Sequence, residues 1–80
     1  MRDTTTMVFL GRFVPESFAE FMRHRAARLS LEASFGTIGP ERIEVEVGGD
    51  EDLIDMFEMA CSLGPIDCLV LDIYREAQLR

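Results

Sequence analysis

The amino-acid sequence predicts an α+β domain with its elements in the order βαββαβ. Three observations carry this. "RIEVEV" (42–47) alternates strictly: Ile43, Val45 and Val47 face one way, Glu44 and Glu46 the other, giving a strand with one wet face. Two segments carry apolar residues at three- and four-residue spacing: Phe18, Phe21, Met22, Ala26 and Leu29, then Leu53, Phe57, Ala60 and Cys61. Three further short apolar segments are bounded by glycine or proline, as strands are. Two helices with one apolar stripe each can cover one face of a four-stranded antiparallel sheet. The predicted architecture is therefore a ferredoxin-like sandwich with both helices on one face.

"TTMVFLG" (5–11) is the first strand, rich in β-branched and aromatic residues and stopped by glycine. A helix follows over 16–29. Ser17 can cap it or Pro15 can open its first turn, and arginines crowd its last turns, matching the helix dipole. "LEASFGTI" (31–38) alternates weakly and forms the second strand; "GPER" turns the chain into the third. "GGDED" stops that strand and caps a second helix from about 50 to 63, with acids in its first turn. Gly64-Pro65 ends it, and "IDCLVLDIY" (66–74) is the last strand.

At 80 residues the chain is a single domain, 1–80. It has no twenty-residue apolar stretch, so no membrane span is expected, and "MRDTTTM" is no signal peptide. A cytoplasmic protein is the expectation. The formal charge of −7 disfavours nucleic acid, whose binding needs a basic surface to release counterions. It also disfavours anionic substrates unless a positive pocket exists. Arg23, Arg25 and Arg28 form the basic cluster, read as a solvated helix face. Cys61, Cys68 and His24 have no metal-ligand spacing, so neither a metal nor a cofactor is expected. Both cysteines lie in apolar segments and read as small buried hydrophobes, not nucleophiles.

"GRFVPESFAEF" (11–21) joins the first strand to the first helix, the place where a helix N-terminus can hold a phosphate. Together with the segments downstream it resembles the acylphosphatase family. The resemblance runs from about 7 to 73. The family signature, G-x-V-Q-G-V-G-F-R-x-F-V followed by A-x-x-L-G-L, keeps its register here without a gap. Gly11, Phe18, Phe21, Ala26, Leu29 and Leu31 fall on its structural positions. The family's G-W-V-x-N strand lands on "ASFGT", its V-E-V strand on "IEVEV", and its G-P on Gly64-Pro65. The resemblance implies the ferredoxin-like fold and the hydrolysis of acyl phosphates. It implies backbone N–H groups and an arginine around the phosphate, with an asparagine positioning the attacking water.

This sequence departs at each of those points. The arginine position is Ala19 and the asparagine position is Thr37, so no catalytic residue is expected. The glycine loop has become "FVPES": Pro15 removes a donor, and Glu16 brings a carboxylate to the would-be phosphate. Like charges about 4 Å apart repel by roughly 1 kcal/mol in water and about 4 at a surface-like dielectric. A surviving anion site would draw on Arg12, Ser17, Phe18 and Arg23, with Arg23 reaching back one turn toward the loop. The expectation is therefore a catalytically degenerate acylphosphatase-like domain serving as a binding or homo-oligomerisation module. The alternative is an acylphosphatase that uses a relocated arginine, with phosphate or acyl phosphate as ligand.

The interface expectation comes from the sheet. Thr5, Met7 and Phe9 face the helices, leaving Val8 and Leu10 on the open side beside the last strand. There either Leu69 and Leu71, or Cys68 and Val70, also face outward. Such an apolar patch marks an interface. Family members commonly add a fifth strand along the second, whereas here "REAQLR" follows the fourth. The second strand, with Phe35, then forms an uncovered edge. A homodimer or a docked protein partner through Val8, Leu10, Leu69, Leu71 and Phe35 is expected.

Overall fold

The computed structural model describes residues 3–76. Its elements are β1 (Asp3–Arg12), α1 (Pro15–Arg28), β2 (Glu32–Ile38), β3 (Arg42–Gly49), α2 (Glu51–Leu63) and β4 (Leu69–Glu76). The strands form one sheet in the order β2-β3-β1-β4, antiparallel throughout, as the ferredoxin-like expectation requires. The last strand starts three residues later than the sequence pattern suggests and takes in Arg75 and Glu76. The remainder of "REAQLR", residues 77–80, lies outside the described residues.

The core lies between the sheet and the helices. Met7 and Phe9 from β1 and Ile43, Val45 and Val47 from β3 meet Phe18, Met22 and Ala26 of α1 and Ile54, Phe57 and Cys61 of α2. The buried stripe of α2 therefore runs through Ile54, with Leu53 and Ala60 only partly covered. The sequence pattern placed Leu53 and Ala60 in it because both choices satisfy helical spacing, and only docking selects between them. Among the described residues, no helix is long and apolar enough to cross a membrane.

Phe18 is the hub of this core. Its ring stacks on Phe13 at 4.8 Å, meets Phe9 edge-on at 5.6 Å and lies over Phe21 at 6.3 Å. Such pairs add about 0.5–1.5 kcal/mol each beyond area burial. Gly64, in the left-handed region at φ 66° after α2, packs beside the same ring: a Cβ there would lie 3.3 Å from Phe18 Cε1.

The open face of the sheet corrects the apolar patch. Val8 is fully buried on that face, flanked in register by Glu44 and Tyr74. Arg42 crosses β1 above it, donating to Tyr74 Oη (3.4 Å) and, through Nε and Nη2, to Glu44 Oε2 (2.8 and 2.7 Å). Leu10 is half-buried, while Leu69 and Leu71 are exposed near the start of β4. Val70 packs against the core, which settles which pair faces outward. Phe35 also departs from expectation: it lies opposite the core residue Val45, on the helix side, partly buried. The apolar run "MVFL" thus has partners on both faces, and what remains outside is narrow.

Gly11 owes its identity to a close backbone approach. The β1–β4 register shifts between Leu10 and Gly11, so that Leu10 opposes Asp72 while Gly11 opposes Val70. The resulting bulge presses the β4 backbone onto Gly11, where a Cβ would sit 2.1 Å from the Leu69 carbonyl oxygen. Gly11→Ala is expected to lower stability by about 1–3 kcal/mol, the usual range for overpacking. Urea unfolding followed by circular dichroism measures it, and an unchanged midpoint would show that the bulge yields freely.

Candidate functional site

The β1–α1 loop is the sequence-predicted site, and its backbone is tightly determined. Gly11 N–H donates to Glu41 O (3.2 Å) and Phe13 N–H to Pro40 O (2.7 Å), tying the exit of β1 to the β2–β3 turn. Val14 then enters α1 with extended backbone, and Pro15 opens the helix, where its missing N–H costs nothing. Phe18 N–H closes the first turn on Val14 O (3.0 Å). Ser17 does not cap the helix; its Oγ donates instead to Asp67 Oδ1 (2.9 Å), across from the loop before β4.

That second loop reaches the start of α1. Cys68 Sγ accepts the Val14 N–H at 3.4 Å and lies 3.8 Å from Val14 O and 3.6 Å from Asp67 Oδ1. A backbone donor at the helix N-terminus is therefore satisfied internally by a thiol, and a carboxylate stands beside it. Glu16 adds a second carboxylate in the first turn. A helix N-terminus does stabilise negative charge, but here the protein's own acids supply it.

The four candidate anion ligands do not converge. Phe18 is fully buried as the core hub. Ser17 is held by Asp67. Arg12 lies opposite Leu69 at the end of β1; alternation puts it with Val8 and Leu10 on the open face, away from the helices. Arg23 stands over the Phe35 ring with Cζ 5.1 Å from the centroid, and its Nη1 is 3.7 Å from Glu20 Oε1. It leans toward the β2 edge rather than back to the loop.

The two family catalytic positions behave differently. Ala19 is buried, packed with the apolar stripe of α1. Thr37 is exposed, in a stretch of β2 whose register with β3 shifts between Phe35 and Ile38. Beside the loop, an open hollow of about 400 Å³ runs along the outer side of α1, lined by Ser17, Phe21, His24, Arg25, Arg28 and Pro65. Two of its side chains are engaged: Arg25 stacks over Phe21 at 5.0 Å, and His24 Nε2 contacts Glu20 Oε2 at 3.1 Å.

Asp67 and Cys68 are the residues that sequence reasoning missed at this site. They lie fifty residues from the loop, and no local spacing links them to it. Burial pushes the Cys68 thiol above the usual range; the Val14 N–H opposes this, while Asp67 reinforces it. Burial pushes the core Cys61 thiol up to about 12. Neither is poised as a thiolate nucleophile. Among the described residues, no group of three or more histidine, cysteine or carboxylate side chains could hold a metal ion.

No family model matches this sequence, and no curated protein matches it. Solved structures do. An acylphosphatase from Bacillus subtilis superposes with a TM-score of 0.83 at 22% identity, over 95% of this chain and 83% of that one. An acylphosphatase from Coxiella burnetii superposes with a TM-score of 0.85 at 19% identity, over 98% and 82%. The chain therefore has an acylphosphatase-like fold.

Two outcomes follow from this geometry. Ala19→Arg is expected to lose about 1–3 kcal/mol through overpacking and to gain no hydrolytic activity, because the loop around it stays closed; denaturant midpoints and an acyl-phosphate assay check both. The Cys61 thiol binds its proton more tightly folded than unfolded. Its contribution is complete below about pH 9 and is lost as pH rises toward about 12. Cys61→Ala should flatten the alkaline stability profile across that window, read from urea midpoints against pH.

Proposed function

We propose that this chain is a non-catalytic binding module built on an acylphosphatase-like fold. One observation carries the reading: at the helix start that would cradle a phosphate, the Val14 N–H is taken by Cys68 Sγ and the Ser17 hydroxyl by Asp67, with Glu16 in the first turn. Catalysis of phosphoryl chemistry rests on positioning and charge stabilisation. Here the positions that would supply them hold buried Ala19, exposed Thr37 and two carboxylates.

The relocated-arginine alternative has less support. Arg23, the residue it needs, is committed to Phe35 and Glu20. A dimer through the open sheet face is also disfavoured, because Glu44, Glu46, Asp72 and Glu76 share that face. Assembly with a second copy is better supported at β2. It is the end strand of the sheet, its single charge is Glu32, and no described strand pairs with its outer side. Such an edge accepts another strand unless it is guarded.

Benzoyl phosphate is expected to show no turnover above buffer with either the native chain or Arg23→Ala. Phosphate and sulfate are expected to give no saturable rise in melting temperature beyond that of chloride at equal ionic strength, since site binding saturates whereas exclusion of these salts from the surface does not. Turnover abolished by Arg23→Ala, or a saturable rise in melting temperature, would overturn the reading. Light scattering at high micromolar concentration tests the second-copy form, which a clean 9.1 kDa monomer removes.

A further inference from the structure

Helix α2 is apolar on two sides. At 100° per residue, Ile54, Phe57 and Cys61 share the buried side. Met56, Met59 and Leu63, spaced three and four apart, point the opposite way and are 52%, 68% and 82% exposed. Ile66 is fully exposed just past the Gly64-Pro65 break. A helix with one face on a core ordinarily carries polar side chains on its outer face. Three large apolar residues in line there form a stripe without a partner among the described residues.

The frame around the stripe is acidic. Glu51 and Asp52 fill the first turn, and Asp52 falls on the same side as Met59 and Leu63. Asp55 and Glu58 border it, held by Arg75 at 2.9 and 2.6 Å. The sequence has no lysine, arginine or histidine between Arg42 and Arg75. The stripe thus combines flexible, polarisable methionines with a net acidic surround, in which Arg75 offsets Asp55 and Glu58 while Glu51 and Asp52 pair with no cation among the described residues.

We propose that this face docks a cationic amphipathic helix from another protein. The partner's apolar residues, at spacings of three and four, would seat on Met56, Met59 and Leu63, and its lysines or arginines would face Glu51 and Asp52. Methionine suits this role because its unbranched side chain adapts to different helical partners. The charges select the partner's sign and speed its approach. A second copy fits poorly, since a twofold contact would set the acids of one chain against those of the other. An anionic membrane is repelled for the same reason.

The proposal rests on the binding-module reading but does not use the β1–α1 loop, so the two fail separately. Loss of the peptide interaction described next leaves the closed loop untouched, and turnover of benzoyl phosphate leaves the stripe untouched.

The test uses the full chain and a fluorescent amphipathic helical peptide of leucine and lysine, read by anisotropy. Saturable binding is expected. Met59→Ser with Leu63→Ser should weaken it at least tenfold, Asp52→Asn severalfold, and added salt progressively. Leu71→Ser, on β4, should leave it unchanged. Circular dichroism confirms that the variants fold. Equal binding by a leucine–glutamate peptide, or binding indifferent to the Met59 and Leu63 changes, overturns the proposal. So does light scattering that shows a dimer converted to monomer by those two changes, which would assign the stripe to a second copy.

Discussion

Phe18 is the contact on which the rest of this structure depends. It is the first large apolar residue of α1, and it joins four segments at one point. Its ring fixes the helix start against Phe9 of β1 and Phe13 of the loop, and against the glycine that ends α2. Complete burial of a phenylalanine stabilises by about 1.5–3 kcal/mol, before the ring pairs are counted. Because the ring docks on the sheet, the loop between Gly11 and Phe18 has little freedom. The loop's path is therefore set by packing and by two backbone hydrogen bonds to the β2–β3 turn.

The residues of this loop divide into those that serve the fold and those that do not. Gly11 and Phe18 serve the backbone and the core, so their replacement would be felt throughout the fold. Residues 14–17, a valine, a proline, a glutamate and a serine, take no part in the core, whereas Ala19 is buried in it. The space where an anion would sit is bordered by Asp67 and Cys68 from the opposite loop. A fold shared with acylphosphatases does not by itself imply their reaction.

Charge tells a consistent story. All eight basic residues are arginines, against fifteen acids. Four arginines are spent on contacts within the fold: Arg23 on Phe35, Arg25 on Phe21, Arg42 between Glu44 and Tyr74, and Arg75 between Asp55 and Glu58. Exposed ion pairs of this kind contribute little stability singly. Their larger effect is to hold these four positive charges at dispersed places in the fold. Arg42 does more than pair, because its span across β1 covers Val8 and turns an apolar sheet centre into a polar one.

The sequence by itself determined the order of elements, the one-sided sheet and the identity of the residues in the β1–α1 loop. These follow from local periodicity, from glycine and proline placement, and from side-chain identity at single positions, none of which needs distant contacts. Tertiary structure decided everything that depends on which distant groups meet. Val8 is covered because Arg42 and Tyr74 come from strands on either side of β1. Ile54 displaces Leu53 from the core because docking fixes the rotation of α2. Arg23 turns to the β2 edge because Phe35 offers it a ring there. The loop is closed because Cys68, remote in sequence, reaches the helix start. Periodicity finds the apolar faces of α2, but only the packed fold leaves Met56, Met59 and Leu63 outside it.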